Sequence, residues 1–107
     1  MSDIAYVGIK NEDNQFECVY IHWMGVDDAS ELYKNWGTNP EKVLELVRRG
    51  NARSTEIGSD YVTTFGETLE ENKPYICESP TVAKRKFSDP VYSLEKNDRE
   101  DYIWIKY

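Results

Sequence analysis

The chain has a single histidine, only two cysteines, and no apolar run near the roughly 20 residues that a helix needs to cross a bilayer. Each scarcity excludes something. A nucleophilic triad needs a base, usually histidine, beside a serine or cysteine, and His22 has no such neighbour in the sequence. One imidazole without a nearby thiol or second histidine does not make a transition-metal site. Cys18 and Cys77 each stand alone in a strand-like segment without CxxC spacing, so they read as core thiols of a reducing compartment. Phosphate-loop, dinucleotide-fingerprint and EF-hand spacings are missing, and neither a metal nor a cofactor is expected. The start "MSDIAYVGIK" lacks the basic and apolar regions of a secretion signal, so a soluble cytoplasmic protein is expected, without a membrane partner. Positive charge is also short: the net charge of −7 argues against direct binding to a nucleic-acid backbone.

What is present is an aromatic-rich chain of one-domain length, with 107 residues of which 13% are Phe, Trp or Tyr. "IAYVGIK" and "FECVYIHWM" are β-branched and aromatic and flank the turn-forming "NEDNQ", which predicts a hairpin. In the second strand Phe16, Cys18, Tyr20, His22 and Met24 share one face and Val19, Ile21 and Trp23 the other, as in a central strand covered on both sides. Asp28 and Glu31 have capping-box spacing before Gly37, predicting a helix over about 28–36. Asn39 as N-cap, Pro40 at the first helical position and Gly50 beyond the last turn predict a second helix over about 40–49, with Val43, Leu44, Leu46 and Val47 on its apolar face. "YVTTFGET", "PYICES" and "DYIWIKY" read as further strands. "PTVAKRKFSDPVYSL" is ambiguous: Thr81, Val82 and Phe87 favour a strand, while Pro80 and Pro90 confine any regular element. The expected architecture is one α+β domain over 1–107, a mainly antiparallel sheet of about five strands with the two helices on one face.

The candidate chemistry is sparse. His22 reads as a hydrogen-bonded structural residue, and adjacent carboxylates such as Asp27 with Asp28 or Glu70 with Glu71 read as helix caps or solvated charge. Trp23, Trp36 and Trp104 read as core, although a chain with eight tyrosines and three tryptophans also leaves rings for an interface. Charge alternates in blocks: acidic over 1–36 and 59–80, mildly basic over 37–58 and 81–107. The basic blocks hold Arg48, Arg49, Arg53, Lys84 and Arg85, which would grip a nucleotide if folding joined them.

"HWMG" at the end of the second strand, a helix with Leu32 and Tyr33, then "PEKVLELVRRG" and a polar "NARS" loop resemble a group of small accessory proteins of tailed phages and prophages. In that group a strand ends in a His-Trp-acid-Gly motif, a KV-type helix follows, and an aromatic strand lies near the C-terminus. His22, Trp23 and Gly25 match the first motif, Val43, Leu46, Val47 and Gly50 the helix, and "DYIWIKY" the last strand; Met24 stands where the group has an acid, and Val26-Asp27 replace a Tyr-Pro. The resemblance implies a phage accessory protein acting in the host bacterial cytoplasm, and the missing catalytic motifs make a non-enzymatic one the expectation. The expectation is a stoichiometric inhibitor of a host defence or regulatory complex, of the anti-CRISPR or anti-restriction type. Its acidic groups, Asp27, Asp28, Glu31, Glu67, Glu70 and Glu71, would dock on a basic channel of a host protein or nucleoprotein complex. The alternative is a sponge that sequesters a nucleotide messenger through the five basic residues above. Monomer and homodimer both remain open.

Overall fold

The computed structural model describes residues 5–21, 30–48 and 74–107. Strands β1 (Ala5–Lys10) and β2 (Phe16–Ile21) form the predicted hairpin, and α1 (Ser30–Asn35) and α2 (Pro40–Arg48) follow. A short strand β3 (Tyr75–Cys77), a helix α3 (Pro80–Phe87) and a second hairpin of β4 (Val91–Lys96) and β5 (Tyr102–Lys106) complete the described chain. The five strands make one sheet in the order β3-β2-β1-β4-β5. Three of the neighbouring pairs are antiparallel, and β1 with β4 is parallel, from Tyr6↔Val91 to Ile9↔Leu94. This is the expected α+β class with a mainly antiparallel sheet. The strand expected over "YVTTFGET" lies outside the described residues, as do His22, Trp23, Met24 and Gly25 of "YIHWMG".

Alternation along the strands sorts the core into two layers. Val7, Ile9, Val19, Ile21, Tyr92, Leu94 and Trp104 face α1 and α2, whose Leu32, Trp36, Val43, Leu46 and Val47 close that side. Tyr6, Phe16, Cys18, Cys77 and Val91 face the opposite way, against Ala83 of α3. The two predicted helices thus share one face, and the third helix covers the other. Cys18 and Cys77 are buried free thiols in that second layer, and burial pushes the Cys18 thiol well above its ordinary range.

The local signals explain each helix. Asn39 caps α2 by accepting from the Glu41 and Lys42 amides at 3.0 and 3.2 Å, and α1 ends where Gly37, at φ 71°, takes the left-handed conformation. The ambiguous segment resolves into two elements. Ser79 accepts from the Val82 amide at 3.2 Å, Pro80 opens α3, and Ser88 closes it at φ 61°. The strand propensity of Thr81 and Val82 loses to a cap at one end and a stop at the other. Pro90 then precedes β4 rather than interrupting it, and its carbonyl accepts from the Tyr6 amide at 2.9 Å. On the edge strand β5, the Trp104 amide donates to the Tyr33 hydroxyl at 3.0 Å, which occupies a group that an incoming strand would use.

Candidate functional site

Because β1 and β4 run parallel side by side, the turns that follow them emerge at the same end of the sheet. The two turns are built alike. Asn11 Oδ1 accepts from the Asp13 and Gln15 amides at 2.9 Å each, and Asn97 Oδ1 accepts from those of Arg99 and Asp101 at 2.9 and 3.0 Å. Backbone bonds repeat too, Asn14 to Asn11 and Glu100 to Asn97, with Asn14 at φ 64° and Glu100 at φ 66°. "NEDNQ" and "NDRED" are therefore one turn used twice, an asparagine-nucleated loop with a left-handed fourth residue. Together they expose Glu12, Asp13, Asp98, Glu100 and Asp101, against Arg99 as the one cation within the turns.

Beyond Ile9 and Leu94 the parallel ladder stops, β1 turning toward β2 and β4 toward β5. The divergence leaves a crevice of about 610 Å³ whose lining includes Ser93, Glu95, Tyr107, Lys10, Lys96 and the first turn of α3. Open sheets bind ligands at such points, outside the carboxyl ends of adjacent parallel strands whose connections leave in opposite directions. Inside it the Tyr107 hydroxyl donates to the Glu95 carboxylate. Burial, then that carboxylate, push the Tyr107 phenol up to about 12, so it keeps its proton at neutral pH.

Arg48 lies on the other face of the sheet. Its Nε donates to Glu17 Oε2 at 3.2 Å, and its Nη2 reaches Glu17 Oε1 at 3.1 Å and the Glu12 oxygens at 2.9 and 3.0 Å. Asn11 Nδ2 adds 3.0 Å to Glu17 Oε1, so the turn and the helix meet on one buried carboxylate. Burial drives the Glu17 carboxyl upward, but the hydrogen bonds from Arg48 and Asn11 outweigh it and hold the group below its ordinary 4.5. A folded-state value below the unfolded one means stability that is present above the ordinary value and is lost as pH falls through the lowered one. Acidification below about pH 4.5 is therefore expected to lower the urea midpoint of the native protein more steeply than that of Glu17→Gln, which has no such proton to take up. Equal slopes for the two proteins in that window would show that the pair adds nothing to the fold.

Of the basic residues predicted to grip a nucleotide, the three that are described are not joined. Arg48 is held by two carboxylates on the α2 face, while Lys84 and Arg85 belong to α3 on the opposite face. A sheet of side chains separates them, because β2 and β4 are covered on both sides. Arg49 and Arg53 lie outside the described residues, as do Asp27, Asp28, Glu67, Glu70 and Glu71; Glu31 falls within α1. Ser93, Glu95 and Tyr107 were not singled out by the sequence reading, and neither were the acids of the second turn. The signal was the repeated asparagine turn, together with a strand that begins directly after Pro90. Among the described residues no group of three or more His, Cys, Asp or Glu side chains is placed to hold a metal ion, and no helix is long and apolar enough to cross a membrane. No protein-family model, curated protein or solved structure matches the chain.

Proposed function

We propose that the protein is a non-enzymatic, stoichiometric inhibitor that docks its acidic surface on a basic channel of a host defence or regulatory complex. The observation that carries the reading is the pair of like turns at one end of the sheet, which sets Asp13, Asp98, Glu100 and Asp101 side by side in solvent. Carboxylates held on rigid hairpin tips meet a basic groove with little loss of side-chain entropy, and their field steers the encounter. The phage resemblance of the first half of the chain supplies the setting, the host cytoplasm. Asp27, Asp28, Glu31, Glu67, Glu70 and Glu71 remain the second acidic group of the proposal.

The test is capture from bacterial host lysate with the tagged protein, washed at moderate salt. The expected result is one host protein retained in stoichiometric amount and released as salt shortens the Debye length. A variant with lysine at positions 13, 98, 100 and 101 is expected to lose it while keeping the native melting curve, and reversal of the other six acids reports on the second group. Undiminished capture by both variants would sink the occlusion reading. A nucleotide in the eluate without a protein would favour the sponge instead.

A further inference from the structure

The two cysteines, which stand far apart in the sequence, are neighbours in the fold. β3 pairs with β2 so that Cys77 stands opposite Phe16 and Cys18 opposite Tyr75, which puts both thiols on one face of adjacent strands, two residues out of step. Both are free and buried, in one cluster with Tyr6, Phe16, Ala83 and Val91. After burial, the largest influence raising the Cys18 thiol is Cys77, which acts on it by charge and through a hydrogen bond, so the sulfurs lie against each other.

The stagger decides what such a pair can do. A disulfide needs Cβ atoms about 3.5–4.5 Å apart, whereas diagonal neighbours on antiparallel strands stand about 7–8 Å apart at Cα and only somewhat closer at Cβ. Direct S–S bonding would therefore require β3 to shift along β2. An ion held between the sulfurs requires no shift, because two metal–thiolate bonds of about 2.3 Å set in line span roughly 4.6 Å.

The number and surroundings of the ligands select the ion. Zinc takes four donors, and among the described residues no third His, Cys, Asp or Glu joins the two thiols. The wall of aromatic and aliphatic side chains offers no oxygen set for a hard cation. A soft monovalent ion prefers thiolate and is satisfied by two in line. Its binding expels both thiol protons and brings in one positive charge, which leaves the site with a single negative charge. The charge of Lys86 reaches Cys18 and favours its thiolate. Entry is from the sheet edge, where Cys77 follows the exposed Tyr75 and Ile76 on β3.

We propose that Cys18 and Cys77 bind one soft monovalent metal ion, Cu(I) or Ag(I), as a two-coordinate bis-thiolate between β2 and β3. The proposal does not rest on the acidic turns or on any host partner. It is tested on the full reduced chain by anaerobic titration with Cu(I) in competition with bicinchoninate, and with Ag(I) followed by thermal melting. The expected results are one ion retained per chain, a raised melting temperature, and two sulfur neighbours around copper in X-ray absorption. Cys18→Ala and Cys77→Ala are each expected to weaken retention by more than the roughly 10–100-fold that loss of an outer-shell partner costs. The absorption spectrum of the unaltered chain counts the sulfurs directly, whether or not a variant folds. Copper surrendered to the chelator, copper with one sulfur or with more than two, or either variant holding the ion at native strength would each overturn the proposal.

Discussion

Gly8→Ala is expected to remove a large part of the protein's stability, more than about 3 kcal/mol, by a single methyl group. Gly8 lies in the middle of β1, which has β2 on one side and β4 on the other, directly opposite Cys18. A Cβ at this position would run into the Glu17 carbonyl oxygen and come within 2.7 Å of the Cys18 Cβ, where cross-strand Cβ atoms ordinarily stand about 4.5–5.5 Å apart. Neither atom is the loose end of a side chain. Relief requires β1 and β2 to separate, and the ladder bonds between them would open. A domain of this length has a margin of only some 5–15 kcal/mol, so the loss would show as a collapsed urea midpoint or as insoluble expression. Ser93→Ala, one strand across, is the control and should melt as the native chain does. If Gly8→Ala kept a midpoint close to native, the close approach of β1 to β2 would be absent in solution.

A glycine inside "IAYVGIK" was itself a readable sign, since glycine in a strand interior marks a close backbone approach. Periodicity showed the hairpin, because β1 and β2 alternate between two apolar layers. The caps showed α1 and α2: Asn39 with Pro40, and Gly37, act by local hydrogen bonding and backbone freedom that the sequence states directly. Ser79 with Pro80 carried the same signal as Asn39 with Pro40. It was masked by β-branched Thr81 and Val82, whose preference is weaker than a cap and a fixed φ. The parallel pairing of β1 and β4 had no local sign. Its partners are more than eighty positions apart, and nothing in "VYSLEK" says which strand it will join.

The candidate site was less legible than the fold for the same reason. Acidic blocks were visible, but which acids converge depends on strand order, and the structure brings together Asp13, Asp98, Glu100 and Asp101 through a pairing that the sequence could not fix. Arg48 looked available because a helix C-terminus favours a cation there. The hidden competitor was Glu17, buried on the neighbouring strand and reached only once α2 lies across the sheet.

Trp104→Ala is expected to cost about 3–5 kcal/mol, comparable to the glycine change but through the opposite fault, a cavity rather than a clash. The indole is nearly buried, meets Trp36 edge to face with centroids 6.4 Å apart, and donates from Nε1 to the Gly37 carbonyl at 2.9 Å. That bond ties the end of α1 to the edge strand, while the backbone amide of the same residue holds Tyr33. Trp36, by contrast, is fully buried with an Nε1 that has no acceptor among the described residues, so its place rests on packing alone. Trp104→Phe separates the two contributions, keeping a ring against Trp36 and removing the donor. Packing as the larger share predicts a Phe variant only about 1–2 kcal/mol below native in urea unfolding, the worth of one hydrogen bond and a carbonyl left bare. A Phe variant as weak as the alanine one would mean that the grip on Gly37 holds α1 over the sheet, and that losing it uncovers the layer beneath.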